Sequence, residues 1–257
     1  MPGDFFALLA RHGSSPIPPG HANSLAPVET QATTVFGFHF ADGAIIAGDR
    51  RATAGNVIVT DTIEKVIELD ATSLLAIAGV PATAFEMARA LQTSFEYFRR
   101  SQLQPLSLPA RVRALSRALR DNLPLTLQGV GVVAPIFAGL DTTQSPPKPC
   151  LFFYDALGAQ FQAVGFAASG SGANTVRSIL GYQERFGNPR PSTLDRRAAV
   201  RLALQLLMIA AEFDSATGGV HPATQRYATL RLLTADGVEN VPDAEQAAAL
   251  EPSPAAP

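Results

Sequence analysis

The stretch Thr33-Thr34-Val35-Phe36-Gly37-Phe38-His39-Phe40 constrains this chain most, because it alternates with a period of two and then runs into Ala41-Asp42-Gly43. Successive side chains of a strand point to opposite faces, so Val35, Gly37 and His39 share one face and Thr34, Phe36, Phe38 and Phe40 the other. Asp-Gly between two apolar runs signals a hairpin, with Ala44 to Gly48 as the returning strand. Such a hairpin brings Asp49 back to the level of Thr33. A threonine inside a chain is a poor nucleophile. One with a free α-amine carries its own general base, since that amine titrates near ~7.7–8.0. Thr-Thr-Val is equally ordinary strand material, and Asp49-Arg50-Arg51 reads as well as a solvated loop.

Ahead of the hairpin, residues 1–32 contain Pro2, Pro16, Pro18, Pro19 and Pro27 with three glycines, which opposes both helix and central strand. They read as a leader outside the folded core, either a loose tail or a removable propeptide. The early apolar run Phe5-Phe6-Ala7-Leu8-Leu9-Ala10 has no basic lead-in and is too short for a signal segment, so neither secretion nor a membrane span is expected. A net charge of -2 gives no basic footprint for nucleic acid. The single cysteine, Cys150, allows no internal disulfide and no cysteine-rich zinc site, which suits a reducing cytoplasm; no metal or cofactor is expected.

Of 20 basic residues only Lys65 and Lys148 are lysines. Lysine differs from arginine in that its compact ammonium loses its proton when desolvated. Within Ile63-Glu64-Lys65-Val66-Ile67-Glu68-Leu69 the period of two puts Lys65 on the apolar face with Ile63, Ile67 and Leu69, where a snorkelling lysine and a functional one are equally good readings.

The remaining pattern is layered. A second strand pair is expected from Val57 to Leu69, broken around Thr60-Asp61, and a strand from Leu74 to Ala78 ends at Gly79. Amphipathic spacing predicts a helix from Ala82 to Arg100, and a proline-containing turn from Leu103 to Pro109 precedes a second helix from Ala110 to about Asn122. Strands follow at 129–140, 150–154 and 160–165, with a proline-rich loop at 142–149. Ser169-Gly170-Ser171-Gly172 reads as a serine-capped start to a helix from about Ala173 to Phe186. A long helix, Leu194 to Phe213, leads into Asp214-Ser215-Ala216-Thr217-Gly218-Gly219. A strand from Arg226 to Leu233 closes the sheet, and a loose tail is expected from about Ala247. Consecutive helices after several strands indicate an α+β domain.

Taken in order and spacing, Thr33-Thr34-Val35, Gly48-Asp49-Arg50-Arg51, Lys65, Ala78-Gly79, Gly170-Ser171-Gly172 and Asp214-Ser215-Ala216-Thr217-Gly218-Gly219 resemble the β-subunits of the 20S proteasome, in particular the actinobacterial type. The resemblance covers roughly residues 33–241. It implies an N-terminal nucleophile hydrolase fold, a four-layer αββα sandwich over residues 33–257, freed by autocatalytic cleavage of Ala32–Thr33. It implies threonine peptidase activity on unfolded proteins inside a closed chamber in the cytoplasm. The implied partners are other β-subunits in a heptameric ring, α-subunit rings and an ATPase activator, with neither nucleic acid nor membrane among them.

Carried over position by position, the resemblance makes Thr33 the nucleophile, its α-amine the proton acceptor, and Gly79 N–H the oxyanion donor. Lys65 and Asp49 become a supporting pair, with Ser171, Asp214 and Thr217 around the amine. Ala52, Ile63, Ile67, Ile77 and Pro81 fall at the primary substrate pocket and carry no charge, which implies a preference for apolar residues before the cut bond. One departure stands out. The family usually has glycine before the nucleophile, and this chain has Ala32, which tolerates a strained turn less well. A non-catalytic structural β-subunit and an N-terminal nucleophile amidohydrolase of small amides are the competing readings.

Overall fold

The computed structural model describes residues 33–55, 57–224 and 226–251. The leader assigned to residues 1–32, Ala32 included, lies outside the described residues, as do residues 252–257.

The opening hairpin forms as its alternation predicts. Strand β1 (Thr34–Phe40) pairs antiparallel with β2 (Gly43–Gly48), from Val35 opposite Gly48 to Phe40 opposite Gly43. The turn is Ala41-Asp42, with Gly43 already in β2. What Gly43 supplies is close approach, since a Cβ there would sit 2.3 Å from the Leu233 carbonyl oxygen on the neighbouring strand.

Two five-stranded sheets make the centre. One has the order β10-β1-β2-β11-β12, with β10 (Phe166–Gly170), β11 (Thr229–Thr234) and β12 (Gly237–Asn240). The other runs β5-β6-β7-β8-β9, with β5 (Val66–Asp70), β6 (Ser73–Ala76), β7 (Ile136–Asp141), β8 (Lys148–Tyr154) and β9 (Gln160–Ala163). The pairings within both are antiparallel.

Helices α1 (Pro81–Gln102) and α2 (Leu108–Asp121) are followed by the short α3 (Leu123–Leu127), and α4 (Ala173–Phe186), α5 (Arg196–Phe213) and α6 (Asp243–Leu250) are the other α-helices among the described residues. The two faces of β1 now acquire partners. Phe36, Phe38 and Phe40 pack with Val176 and Leu180 of α4 and Ala203 and Leu207 of α5. Val35, with Ala44 and Ile46 of β2, packs instead on Leu74, Ile136 and Leu151 of the other sheet. That sheet's outer face, through Leu75 and Phe137, packs on Leu91 and Phe95 of α1 and Leu115 of α2. Three apolar interfaces between four layers give the α+β, αββα sandwich that the resemblance implies. Phe36 and Phe38 are fully buried, which contributes about 1.5–3 kcal/mol each.

Several local expectations change. Strand β4 (Val57–Thr60) pairs with β3 (Ala52–Ala54) in a separate two-stranded ribbon instead of with the segment that follows it. Strand β5 begins only at Val66, so Lys65 precedes the strand; Ile67 and Leu69 turn to the α1 side while the Lys65 ammonium reaches Asp49. The strand expected from 129 begins at Ile136. Ser169 and Gly170 belong to β10, and α4 is capped by Gly172 with no side-chain cap, because the serines are engaged elsewhere. Strand β12 extends the sheet past β11. The expected loose end from Ala247 is helical to Leu250, fastened by the buried Gln246 amide, which accepts from Ala228 N–H and donates to the Ala228 and Val241 carbonyls.

Candidate active site

Strand β1 delivers Thr33 to one end of the sandwich, and Ser171, the residue after β10, holds its carbonyl. Thr33 is 4% exposed, and its carbonyl oxygen accepts the Ser171 N–H at 2.9 Å. Gly170, with φ +97°, allows this approach. A Cβ at 170 would lie 1.7 Å from the Thr33 carbonyl oxygen, so only glycine fits.

The next residue ties the strand to Asp49. Thr34 N–H donates to Asp49 Oδ1 at 2.8 Å, and Lys65 Nζ donates to the same oxygen at 2.6 Å. The other carboxylate oxygen, Oδ2, accepts Gly218 N–H at 2.8 Å and Arg51 N–H at 3.0 Å. Four donors thus converge on one carboxylate at the end of β2. The Lys65 and Asp49 side chains are 2% and 0% exposed. Burial pushes the Lys65 ammonium below its ordinary pKa of 10.5, and the Asp49 charge opposes that shift.

A second network joins three hydroxyls to Asp214. Ser171 Oγ donates to Asp214 Oδ2 at 2.6 Å, and Thr217 Oγ1 donates to the same oxygen at 2.5 Å. Thr34 Oγ1 lies 2.5 Å from Thr217 Oγ1 and accepts Gly172 N–H at 3.0 Å. A hydroxyl has one proton to give. With Thr217 donating to Asp214, Thr34 must donate to Thr217, so the hydrogen-bond direction runs from β1 toward Asp214. The Asp214 carboxylate is itself oriented by Ala216 N–H at 3.1 Å.

Gly79 follows β6 with φ +112°, and a Cβ there would lie 2.1 Å from the Val132 carbonyl oxygen. Its bridge to Val133 is made by Val80 N–H and Ala134 N–H, at 2.8 and 2.9 Å, and does not use the Gly79 N–H. Gly79 and Ser171 line one open hollow of about 180 Å³.

Thr33, Asp49, Lys65, Ser171, Asp214 and Thr217 are therefore brought together, with Gly79 across the hollow. The five apolar residues divide. Ile77 is 3% exposed, and Ile67 packs into the same cluster beneath α1, while Pro81 opens that helix. Ala52 starts β3, and Ile63 N–H donates to the Arg50 carbonyl at the root of the β3–β4 ribbon. Sequence reasoning missed the Thr34 hydroxyl and the backbone donors of Arg51, Gly172 and Gly218. Thr34 had a signal in being a second hydroxyl beside the first; a backbone N–H has none.

A family model described as "Proteasome subunit" matches residues 29–222. A protein of Acidimicrobium ferrooxidans named "Proteasome subunit beta" is 37% identical over 241 residues, covering 94% of this chain and 85% of its own. One of the same name from Stackebrandtia nassauensis is 38% identical over 91% of this chain and 81% of its own, and "Proteasome subunit beta 2" of Thermomonospora curvata is 34% identical over 96% and 89%. With a family match over most of its length, relatives of this similarity, and a site built at the head of β1, the chain belongs to the proteasome subunit family, among its β-type members.

Proposed function

We propose that the chain is the catalytic β-subunit of a 20S proteasome, a threonine endopeptidase that becomes active when the Ala32–Thr33 bond is cut. The observation that carries this reading is the buried Lys65–Asp49 pair joined to Thr34 N–H through Asp49 Oδ1. A buried charge pair is costly to keep where it only fills space. Next to a nucleophile with a titrating amine it has a use.

With Thr33 as the first residue, its α-amine and Oγ1 belong to one residue and lie within reach of each other. The Lys65 ammonium disfavours protonation of the amine, so more of it is basic at neutral pH. Oγ1 attacks the scissile carbonyl carbon as its proton passes to the amine. The negative oxygen so formed takes the Gly79 N–H, a contribution of about 2.7–4 kcal/mol by analogy with a deleted oxyanion donor. The carbon–nitrogen bond then breaks as the leaving amine takes the proton, leaving an ester on Thr33. Water, deprotonated by the same α-amine, hydrolyses the ester. While Ala32–Thr33 is intact the nitrogen is an amide and has no such role.

In this reading Ala52, Ile63, Ile67, Ile77 and Pro81 line an uncharged pocket for the residue before the cut bond, and the β-subunits form a heptameric ring between α-subunit rings, fed with unfolded protein by an ATPase in the cytoplasm. Ala32 in place of the usual glycine is the one feature that favours a non-catalytic structural subunit. The test is cleavage of fluorogenic peptides by the particle assembled with its α-subunit. Apolar residues before the cut bond should be preferred, and Thr33→Ala should fall to background. A Thr33→Ala particle as active as the unsubstituted one, or faster cleavage after basic or acidic residues, would contradict the activity or the pocket respectively.

A further inference from the structure

We propose that Asp61 is a positioning residue for the Thr33 site: by holding the Arg51 guanidinium against the Ser215 carbonyl, it fixes the loop that carries Asp214, Thr217 and the Gly218 N–H. The proposal rests on the peptidase reading above and adds a residue to it.

Asp61 follows β4 at the root of the β3–β4 ribbon and is shared by two arginines. Its Oδ1 accepts Arg51 Nε at 2.9 Å, and its Oδ2 accepts Arg226 Nη1 at 3.2 Å. Each arginine in turn grips the segment that contains the loop. Arg51 Nη1 donates to the Ser215 carbonyl at 3.1 Å. Arg226 exchanges two backbone hydrogen bonds with His221, at 2.9 and 3.1 Å, closing the segment just beyond the loop. Gly218 lies directly on Arg51, since a Cβ at 218 would come within 2.9 Å of Arg51 Cβ.

Arg51 is therefore engaged at both ends. Its backbone N–H donates to Asp49 Oδ2, next to the Gly218 N–H on the same oxygen, while its side chain spans from Asp61 to Ser215. One residue before Ser215 is Asp214, and two after it is Thr217. The Arg51 and Asp61 side chains are 18% and 23% exposed, so the pair is sheltered without being sealed. The adjacent Arg51 guanidinium also holds the Asp61 carboxyl below its ordinary range, so it is charged at any pH at which a peptidase of this kind works.

A pair this near the surface adds little to stability. What it supplies is direction, because a guanidinium docked on a carboxylate has its remaining N–H groups fixed in plane and aimed. Without the carboxylate, Arg51 is free to swing into solvent, and the Ser215 carbonyl loses its donor. A shift of the loop then reaches Thr33 by two routes, through Asp214 and Ser171, and through Gly218 and Asp49.

The test compares Asp61→Asn and Asp61→Glu with the unsubstituted chain, each assembled with the α-subunit, using a fluorogenic apolar peptide and hydrogen exchange. Asp61→Asn should lower kcat about tenfold to a hundredfold and leave KM within about twofold, as expected when a distant change misplaces reacting groups but leaves substrate binding alone. Exchange should accelerate in residues 214–219 and stay unchanged in α1 and α5. Asp61→Glu should recover most of kcat. If Asp61→Asn keeps full kcat, or if its loss comes with faster exchange throughout the subunit and no rescue by glutamate, the positioning role is wrong. An unsubstituted particle with no Thr33-dependent cleavage overturns the peptidase reading itself and this role with it; Thr33-dependent cleavage with Asp61→Asn unaffected overturns this role alone.

Discussion

Lys65 Nζ lies 2.6 Å from Asp49 Oδ1 with both side chains out of solvent, and that oxygen also accepts the N–H of Thr34, the residue after the candidate nucleophile. The lysine and the end of β1 thus share one acceptor. Replacing Asp49 with asparagine keeps the shape but turns one oxygen into a donor, which must then face either Thr34 N–H and Lys65 or Arg51 N–H and Gly218 N–H. Removing one partner of a buried pair costs about 3–5 kcal/mol. Asp49→Asn should lose that much stability in urea unfolding, and its peptidase activity with it. A loss below about 1 kcal/mol, the scale of an exposed pair, would contradict the pairing.

The second expectation concerns Gly170, whose absent Cβ leaves room for the Thr33 carbonyl. Gly170→Ala must displace that carbonyl from the Ser171 N–H or force alanine to keep a left-handed φ, at about 1–3 kcal/mol for the backbone alone. The variant should be less stable and should retain its leader, as read by intact mass. Normal maturation at the unsubstituted rate would show that the close approach has no part in placing Thr33.

Alkaline stability gives a third. Tyr154 is 3% exposed, with its hydroxyl donating to the Val112 carbonyl at 2.9 Å, and burial raises its pKa above the ordinary 10.0. The native phenol keeps its proton where the unfolded one loses it, so above pH 10 the native state binds more protons and stability falls as pH rises. This group contributes a slope of up to about 1.4 kcal/mol per pH unit. Lys65 works in the opposite sense, because its folded pKa is depressed, so the effect is read as a difference. Tyr154→Phe should lose about 0.5–1.5 kcal/mol below pH 10 through the missing hydrogen bond and should flatten the decline above it. Parallel curves for the two proteins would contradict the assignment.

Much of this was legible in the sequence where a pattern had a single physical cause. The β1–β2 hairpin, the buried phenylalanine face and helix α1 follow from periodicity, because each must bury an apolar stripe, while α2 and α4 are legible from the proline-containing turn and the serine-glycine run that precede them. Lys65 stood out by its rarity. The β3–β4 ribbon did not, since Val57, Ile58 and Val59 are exposed and their pattern says nothing about which neighbour they pair with. Strand β10 was hidden in a serine- and glycine-rich run that resembles a helix start. Its pairing with β1 depends on residues more than a hundred positions away. Helix α6 looked like a tail because its alanines carry no strong amphipathic signal, and the Gln246 amide that fastens it depends on backbone groups of Ala228 and Val241, at the two ends of the β11–β12 hairpin. The Asp61 clamp was likewise unreadable, because three separated segments supply its members.

Everything proposed for this chain turns on Thr33 becoming its first residue and its nucleophile. The most direct test is intact mass and N-terminal sequencing of the chain assembled with its α-subunit, beside the Thr33→Ala variant. The expected result is a new terminus at Thr33 in the unsubstituted particle and a full-length, uncut chain in the variant. An assembled particle whose unsubstituted chain still carries residues 1–32 would contradict it.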